Sequence, residues 1–259
     1  MSLLTMASRR RRAGGALSLS QQVQAILAGT TGFAIDPTDV TTLFQGTDTA
    51  TPVVSASDPV RRINSKWGTA HVFLAPSDAA RGAWDGTQFI TMDGSDDYYE
   101  ASAASDVFRN APGYFVAMRR GGSYNNNGIV AVSTATTTTH RCVVQGSSGR
   151  MRTQVRRLDA DSTTDDFGAA AAFNGSTWSF EQDLSINGNA VKRKDNATVD
   201  TYTLAGTPAN SANTASSRVR LGGLLGAFFQ TGSIGRTVFF PFVPSVAQRD
   251  LIEAWLVEV

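Results

Sequence analysis

The stretch of sequence that decides the fold is residues 89–100, FITMDGSDDYYE. It begins with four strand-like, mostly apolar residues, turns through a polar Asp-Gly-Ser-Asp-Asp segment, and ends on a strand-like aromatic pair. Two strand-like segments joined by a short polar turn are typical of antiparallel β structure. The stretch therefore indicates a fold, and it indicates no particular reaction.

Short apolar or alternating segments continue from about residue 60 to residue 245. In residues 178–186 apolar and polar side chains alternate, which predicts a half-buried strand. Asn187 and Gly188 follow at once, and this dipeptide is the strongest short signal for a hairpin turn. Further strands are predicted at residues 114–118, 129–132, 142–144 and 151–156, and around Val219 and Ile234.

One helix is predicted near each end of this region. Residues 18–21 (SLSQ) resemble a capping box, and Val23, Ile26 and Leu27 follow on one helical face. Residues 245–248 (SVAQ) form a second box ahead of an apolar stripe over residues 251–256. A further helical turn is predicted after Asp36 and Pro37.

Composition agrees with a β protein. The chain of 259 residues has 24 Gly but only 3 Lys and 4 Glu, so it is rich in turn formers and poor in two good helix formers. The net charge of +1 provides no overall field for nucleic acid, and we expect no specific nucleic-acid partner. A single cysteine, Cys142, excludes a disulfide within the chain and a cysteine-rich zinc site.

Three pieces of the chain together resemble laminin-G-like domains of the concanavalin-A type. They are residues 89–99, residues 178–188 (WSFEQDLSING), and residues 222–240 with the helix at 245–256. This resemblance implies a mainly β fold, a concanavalin-A-like antiparallel β-sandwich (jelly roll) with short N-terminal and C-terminal helices. We expect the sandwich to span residues 61–259, after a flexible basic arm and helical leader at residues 1–60.

The leader resembles segments that precede such domains in tailed-phage and prophage structural proteins. It contains GFAIDPTD at residues 32–39, LFQ at 43–45 and DPV at 58–60. The resemblance implies a virion spike, fibre or decoration protein that binds host cell-surface polysaccharide, with capsid or tail proteins as partners and a homo-oligomeric state. The alternatives are a purely structural virion protein without glycan binding and, third, a glycan-cleaving enzyme.

The resemblance to virion proteins also implies where the protein is located and which residues anchor it to the particle. No stretch approaches the roughly 20 apolar residues of a membrane helix, and the first residues lack a signal-peptide core. We therefore expect no membrane span, synthesis in the host cytoplasm and a final position on the particle surface. The residues assigned to particle anchoring are Arg9, Arg10, Arg11, Arg12, Val23, Ile26 and Leu27; for the arginines, the alternative is a solvated tail.

Sugar recognition uses aromatic rings and polar side chains, because a pyranose has an apolar face and polar hydroxyls. The candidate carbohydrate-binding residues are Tyr98, Tyr99, Tyr124, Asn125, Asn126 and Asn127. An ordinary hairpin turn explains the asparagine run equally well. The arginine-rich segment 150–157 is a candidate to face an anionic glycan or a partner subunit.

Asp93, Asp96 and Asp97 are candidate metal ligands, with calcium as the candidate ion, because calcium prefers carboxylate oxygens. The alternative is that these side chains bond the backbone of their own turn. Catalysis is not expected. Glu181 and Asp183 share a strand face as paired carboxylates would, yet the further glutamate of related glycosidases is missing.

Overall fold

The computed structural model describes residues 16–101, 111–121, 128–133, 140–147, 150–155, 164–167, 176–184, 189–195, 197–204, 218–223 and 229–258. In this part of the chain two antiparallel sheets face each other, and a helix lies near each terminus. The prediction of a mainly β, antiparallel sandwich with short N-terminal and C-terminal helices is confirmed. None of the helices in these ranges is long and apolar enough to cross a membrane.

The helices are α1 (Leu19–Leu27) and α2 (Val246–Val257). Sheet A contains β1 (Phe33–Ile35), β4 (Trp67–Gly68), β6 (Ala83–Trp84), β7 (Ile90–Asp93), β9 (Gly113–Gly121), β14 (Thr177–Asp183), β15 (Asn189–Lys194), β16 (Ala197–Thr203) and β18 (Thr231–Phe240). Sheet B contains β2 (Leu43–Phe44), β3 (Arg62–Asn64), β5 (Val72–Leu74), β8 (Tyr99–Ala101), β10 (Gly128–Ser133), β11 (His140–Ser147), β12 (Arg150–Val155), β13 (Thr164–Phe167) and β17 (Arg218–Leu221).

Sheet A runs in the order β16-β15-β14-β9-β18-β1-β4. Its long strand β18 pairs with β9 along one edge, while its other edge pairs first with β7 and then with β1. Sheet B runs in the order β13-β12-β11-β10-β17-β8-β5-β3-β2. The strands on either side of Asn187-Gly188, β14 and β15, are antiparallel neighbours as the hairpin signal predicts, although the dipeptide itself lies outside the described residues.

The main core lies between the two sheets. Sheet A supplies buried side chains such as Val116, Met118 and Phe180, and sheet B supplies Phe73 and Val219. Each comes from a strand in which apolar residues face inward at every second position. The inner faces therefore follow the period of two that the sequence shows.

A second core lies on the outer face of sheet A, beneath both helices. Val23 and Leu27 of α1, with Trp255 of α2, pack there against Phe115 and Val238. Both predicted capping boxes are confirmed, since Ser18 and Ser245 accept hydrogen bonds from the main chain of Gln21 and Gln248. The helices therefore cover sheet A and belong to the sandwich itself.

This helical cover corrects the prediction of a half-buried strand at residues 178–186. Six of the seven residues of β14 are buried. Ser179 and Glu181, on the side expected to meet water, are only 1% and 5% exposed. They lie beneath α2, and Ser179 bonds Glu253 of that helix at 3.1 Å.

The sandwich also begins earlier than residue 61. Strand β1 pairs with β18 and β4, so residues 33–35 are part of sheet A, and β2 pairs with β3 in sheet B. The predicted helical turn after Pro37 is instead an Asx turn, in which Asp36 accepts from the amide of Thr38, and a short 3-10 helix, Val40–Thr42. Residues 1–15, with the four arginines, lie outside the described residues.

Candidate functional site

The outer face of sheet B carries a row of charged and aromatic side chains. In β8, Tyr99 and Ala101 are buried, so Glu100 and the preceding Tyr98 lie on the opposite side. In β17, Val219 and Leu221 are fully buried, so Arg218 and Arg220 lie on that same outer side. Arg220 is the direct cross-strand partner of Glu100. We call the part of this surface that is formed by the following residues the open face: Arg62, Asn64, Val72, Leu74, Tyr98, Glu100, Arg218 and Arg220.

Glu100 holds two arginines. Arg220 Nε donates to Glu100 Oε2 at 2.8 Å, and Arg218 Nη1 donates to Glu100 Oε1. The Arg220 side chain is 5% exposed and that of Glu100 is 17% exposed, whereas the Arg218 side chain is 41% exposed. Among the described residues of this group, Arg218 is the exposed cation.

Tyr98 lies beside this ion-pair group. Its ring packs against Phe229 with centroids 5.9 Å apart, and Gly223 lies so close that an added Cβ would approach the Cβ of Tyr98 to 2.8 Å. Burial raises the pKa of Tyr98, and the charge of Glu100 raises it further, while Arg220 and Arg218 lower it. The phenol therefore stays neutral at physiological pH and keeps its O–H donor.

These groups suit one kind of ligand. An exposed guanidinium binds carboxylates through paired N–H donors, and an aromatic ring packs on the apolar face of a sugar. Glu100 restrains Arg218 before any ligand arrives, which lowers the entropy lost on binding. The group is therefore suited to an acidic ligand that also has an apolar face.

The acidic turn after β7 lies next to Tyr98 in sequence. Carboxylate oxygens of Asp93, Asp96 and Asp97 lie within 4.8 Å of one another. Two of the three side chains bond their own turn: Asp93 Oδ1 accepts from Ser95 N at 2.7 Å, and Asp97 Oδ2 accepts from Asp93 N at 2.8 Å. The self-bonding alternative is thus observed for Asp93 and Asp97.

The charges of this turn repel one another. Burial raises the pKa of Asp97 to about 6; the bond from Asp93 N opposes this rise, and the charges of Asp93 and Asp96 add to it. Calcium is bound by six to eight oxygens, of which three carboxylates supply a part. A cation here would relieve the repulsion, and calcium at Asp93, Asp96 and Asp97 stays a prediction.

The candidate sugar-binding residues separate in the structure. Tyr98 lies on the open face. Tyr99 is wrong as a sugar platform, because it is 0% exposed and its hydroxyl donates to Val60 O at 2.8 Å and accepts from Gly82 N at 3.0 Å. Tyr124, Asn125, Asn126 and Asn127 lie outside the described residues, and so do the side chains of Arg150 and Arg152 in β12.

The structure also contradicts the anchoring role predicted for Val23 and Leu27. Val23 and Leu27 are 0% and 1% exposed, since they pack on sheet A, and Ile26 is partly buried in the same cluster. Val23 and Leu27 therefore stabilise this domain and present no surface to a particle. Arg9, Arg10, Arg11 and Arg12 lie outside the described residues.

Glu181, one of the two carboxylates considered for glycoside cleavage, is buried in an ion-pair cluster. Glu181 is 5% exposed and forms ion pairs with Arg249 of α2 and with Arg193 of β15. A carboxylate buried beneath a helix and held by two arginines does not reach a glycosidic bond. The prediction that the chain is not an enzyme stays a prediction.

A cavity of about 190 Å³ opens on the other sheet, between β14 and the end of α2. Its lining includes Asp195, which accepts from Thr177, and Glu253, which accepts from Ser179. Both carboxyl groups disfavour an acidic ligand there. The open face, with its exposed Arg218, is the better candidate site.

Glu100, Arg218 and Arg220 were not singled out in the sequence. The alternation in RVRL at residues 218–221 signals that both arginines lie on the face opposite Val219 and Leu221. That alternation does not reveal their common partner Glu100, which is 118 positions away from Arg218.

Comparison with solved structures supports the β-sandwich fold. The sequence matches no protein-family model, and the search of curated proteins found no match. Among solved structures, the chain is similar to the CBM40 domain of the Ruminococcus gnavus IT-sialidase. In the complex with α2,3-sialyllactose the TM-score is 0.51 at 21% identity, covering 65% of this chain and 96% of that one.

Two further structures share the fold. The same CBM40 domain bound to α2,6-sialyllactose has a TM-score of 0.50 at 19% identity, covering 64% of this chain and 96% of that one. The binding domain of botulinum neurotoxin serotype D/C has a TM-score of 0.50 at 10% identity, covering 85% of this chain and 53% of that one. At these identities the likeness shows the fold alone, a β-sandwich, and the ligand is a separate question.

Proposed function

We propose that this protein is a glycan-binding domain that takes an acidic cell-surface glycan on the open face, at Tyr98, Glu100, Arg218 and Arg220. The observation that carries the proposal is the exposed Arg218, which Glu100 holds on the same face of sheet B as Tyr98. The fold supports it, because the CBM40 domain of similar fold is solved with sialyllactose bound.

Each group has a distinct role in this proposal. Arg218 pairs with the carboxylate of the sugar, because a guanidinium offers two parallel N–H donors to that group. Arg220 and Glu100 are positioning residues, since Arg220 is buried against Glu100 and Glu100 restrains Arg218. Tyr98 offers an apolar ring face and, as a neutral phenol, one hydroxyl donor.

A second part of the proposal concerns where the domain acts. We propose that the domain is an attachment component on the surface of a phage-like particle, made in the host cytoplasm and present as a homo-oligomer or in many copies. The support is the likeness of the leader, residues 32–60, to segments of tailed-phage structural proteins, together with the weak binding expected of one shallow sugar site, which many copies would compensate. A purely structural decoration protein is the second candidate.

The binding site is tested by titrating 3′-sialyllactose into the wild type, Arg218→Ala and Arg193→Ala. Arg193 is the matched control, because it also pairs with a glutamate on a strand but lies on the other sheet. We expect Arg218→Ala to weaken binding about tenfold or more and Arg193→Ala to leave it unchanged. Equal affinity of Arg218→Ala and the wild type would refute this site.

A glycan array with acidic and neutral sugars tests the function itself. Binding limited to acidic glycans is expected, and no binding to any glycan would favour the purely structural role. The virion setting is tested by mass spectrometry of purified particles from the source of this sequence. Absence of the protein from particles whose other components are detected would overturn that setting.

A further inference from the structure

A third arginine, Arg62, lies on the open face, in line with Glu100 and Arg220. Across sheet B the register pairs Arg62 with Leu74, Leu74 with Glu100, and Glu100 with Arg220. Four neighbouring strands therefore place these side chains in one row. Adjacent strands lie about 4.8 Å apart, so Arg62 is about 10 Å from Glu100 along this row.

The row points away from the core. Ile63, Phe73 and Tyr99 lie in the same three strands and are each 0% exposed on the inner face. Strand residues alternate between faces, so Arg62, Leu74 and Glu100 all lie on the outer one. The open face thus extends from β17 to β3 as a continuous strip.

No carboxylate of the described residues neutralises the charge of Arg62. Arg62 Nε donates to Asn64 Oδ1 at 2.8 Å, and Nη1 donates to Thr47 O at 2.9 Å. Both acceptors are neutral, and no ion pair of Arg62 occurs among the residues that the structure describes. The two bonds orient the guanidinium and leave its positive charge in place. The neighbouring Arg61 differs, since it forms an ion pair with Asp78.

Between Arg62 and the Glu100 group, the surface is apolar. Leu74 is partly buried, and Val72, which pairs with Asn64, is 38% exposed. An apolar strip flanked by two cations is complementary to sugar rings whose acidic groups lie at both ends of a short segment.

We propose that Arg62 and Asn64 form a second acidic-sugar subsite, so that the open face takes an extended polysaccharide with carboxylates repeated along the chain. This inference rests on the proposed function and names its ligand class. The first carboxylate pairs with Arg218, the sugar between lies over Leu74 and Val72, and the next carboxylate pairs with Arg62.

The test compares two probes on three variants. 3′-Sialyllactose carries one carboxylate, whereas a hyaluronan oligosaccharide carries one on every second sugar. The variants are Arg62→Ala, the matched control Arg61→Ala and Arg218→Ala, each checked for an unchanged thermal unfolding profile. Arg61 neighbours Arg62 on the same chain but is paired with Asp78.

We expect Arg62→Ala to weaken hyaluronan binding about tenfold and to leave sialyllactose binding unchanged. Arg61→Ala should change neither, and Arg218→Ala should weaken both. The second subsite is overturned if Arg62→Ala binds hyaluronan like the wild type, if the wild type binds hyaluronan no more tightly than sialyllactose, or if a single-stranded DNA oligonucleotide binds as tightly as hyaluronan. Failure of Arg218→Ala to change sialyllactose binding would instead overturn the proposed function.

Discussion

Arg236 Nε donates a hydrogen bond of 3.0 Å to Asp36 Oδ1 across 200 positions of sequence. Asp36 is 0% exposed and also accepts from Lys66 Nζ at 2.7 Å. Arg236 Nη1 in turn donates to the carbonyl of Glu258 at 2.7 Å. This network joins the start of the sandwich, strand β18 and the end of α2, so the leader and both ends of the described fold are linked at one buried carboxylate.

Asp36→Asn is expected to lower the free energy of unfolding by about 3–5 kcal/mol, because it removes the buried carboxylate of the network and leaves Arg236 only the longer ion pair with Glu258 at 3.6 Å. Burial alone raises the pKa of Asp36, but the bonds from Lys66 and Thr38 and the charge of Arg236 lower it overall. Urea unfolding measures the effect. Asp78→Asn is the control, since the Asp78 side chain is 76% exposed and its pair with Arg61 is worth about 0–1 kcal/mol. Equal losses in the two variants would contradict this account.

Gly68→Ala is expected to lower the free energy of unfolding by at least about 3 kcal/mol. Gly68 has φ +81°, and an added Cβ would lie 2.1 Å from the carbonyl oxygen of Gly32. Gly29 is the matched control with φ +77°, and a Cβ there meets nothing within 4 Å. Gly29→Ala should therefore cost only the left-handed strain of about 1–2 kcal/mol. Thermal unfolding of both variants is the measurement. Similar melting temperatures would contradict the prediction, because they would mean that the structure adjusts to the added Cβ at residue 68.

Asp97 is expected to destabilise the fold at neutral pH. Its pKa rises from 3.8 to about 6 on folding, so the folded protein binds this proton more tightly than the unfolded chain does. Its contribution to stability is complete below pH 3.8 and is lost as the pH rises to 6. Asp97→Asn should therefore be more stable than the wild type at pH 7.5, by about 1–2 kcal/mol, and similar to it near pH 4.

Asp58→Asn is a control for which the effect on stability at neutral pH is expected to be opposite to that of Asp97→Asn. Backbone bonds from Val54 and Ser55 lower the pKa of Asp58, so its contribution to stability is present at neutral pH and is lost as the pH falls through the lowered value. Asp58→Asn should be less stable than the wild type at pH 7.5. Urea unfolding at several pH values measures the free energy of unfolding of both variants. If Asp97→Asn is less stable than the wild type at pH 7.5, the destabilising role of Asp97 is refuted.

Calcium is expected to raise the melting temperature of the wild type at pH 7.5 if Asp93, Asp96 and Asp97 bind it, because an ion that binds only the folded state stabilises it. Asp97→Asn should lose this response. Differential scanning calorimetry with calcium or with a chelator is the measurement. An unchanged wild-type melting temperature at millimolar calcium would end the calcium prediction.

Tyr98→Ala is expected to weaken acidic-glycan binding about tenfold, because it removes the ring face as well as the hydroxyl. Tyr98→Phe removes only the hydroxyl and should cost about fivefold, the worth of one hydrogen bond. Calorimetric titration with 3′-sialyllactose separates the two. A Tyr98→Phe variant as weak as Tyr98→Ala would mean that the hydroxyl, and not the ring, carries the contact.

Local patterns predicted most of the elements. The capping boxes at Ser18 and Ser245 depend on residues three apart, and the helices begin where the boxes predict. The hairpin between β14 and β15 follows from the turn residues between them. The burial of Glu181 was not predictable in this way, because it depends on α2, which packs over β14 from a distant part of the sequence.

The neighbouring residues Tyr98 and Tyr99 show which features follow from the sequence and which follow from the tertiary structure. By itself the sequence determined the strands, their turns and the helix starts, because these depend on short-range propensity and on a period of two or 3.6. Alternation tells that the two rings face opposite sides, but which side is buried depends on the opposing sheet. Only the tertiary structure placed Tyr99 in the core and brought Arg218 and Arg220 to Glu100, because strands β8 and β17 meet through a register formed across more than a hundred residues.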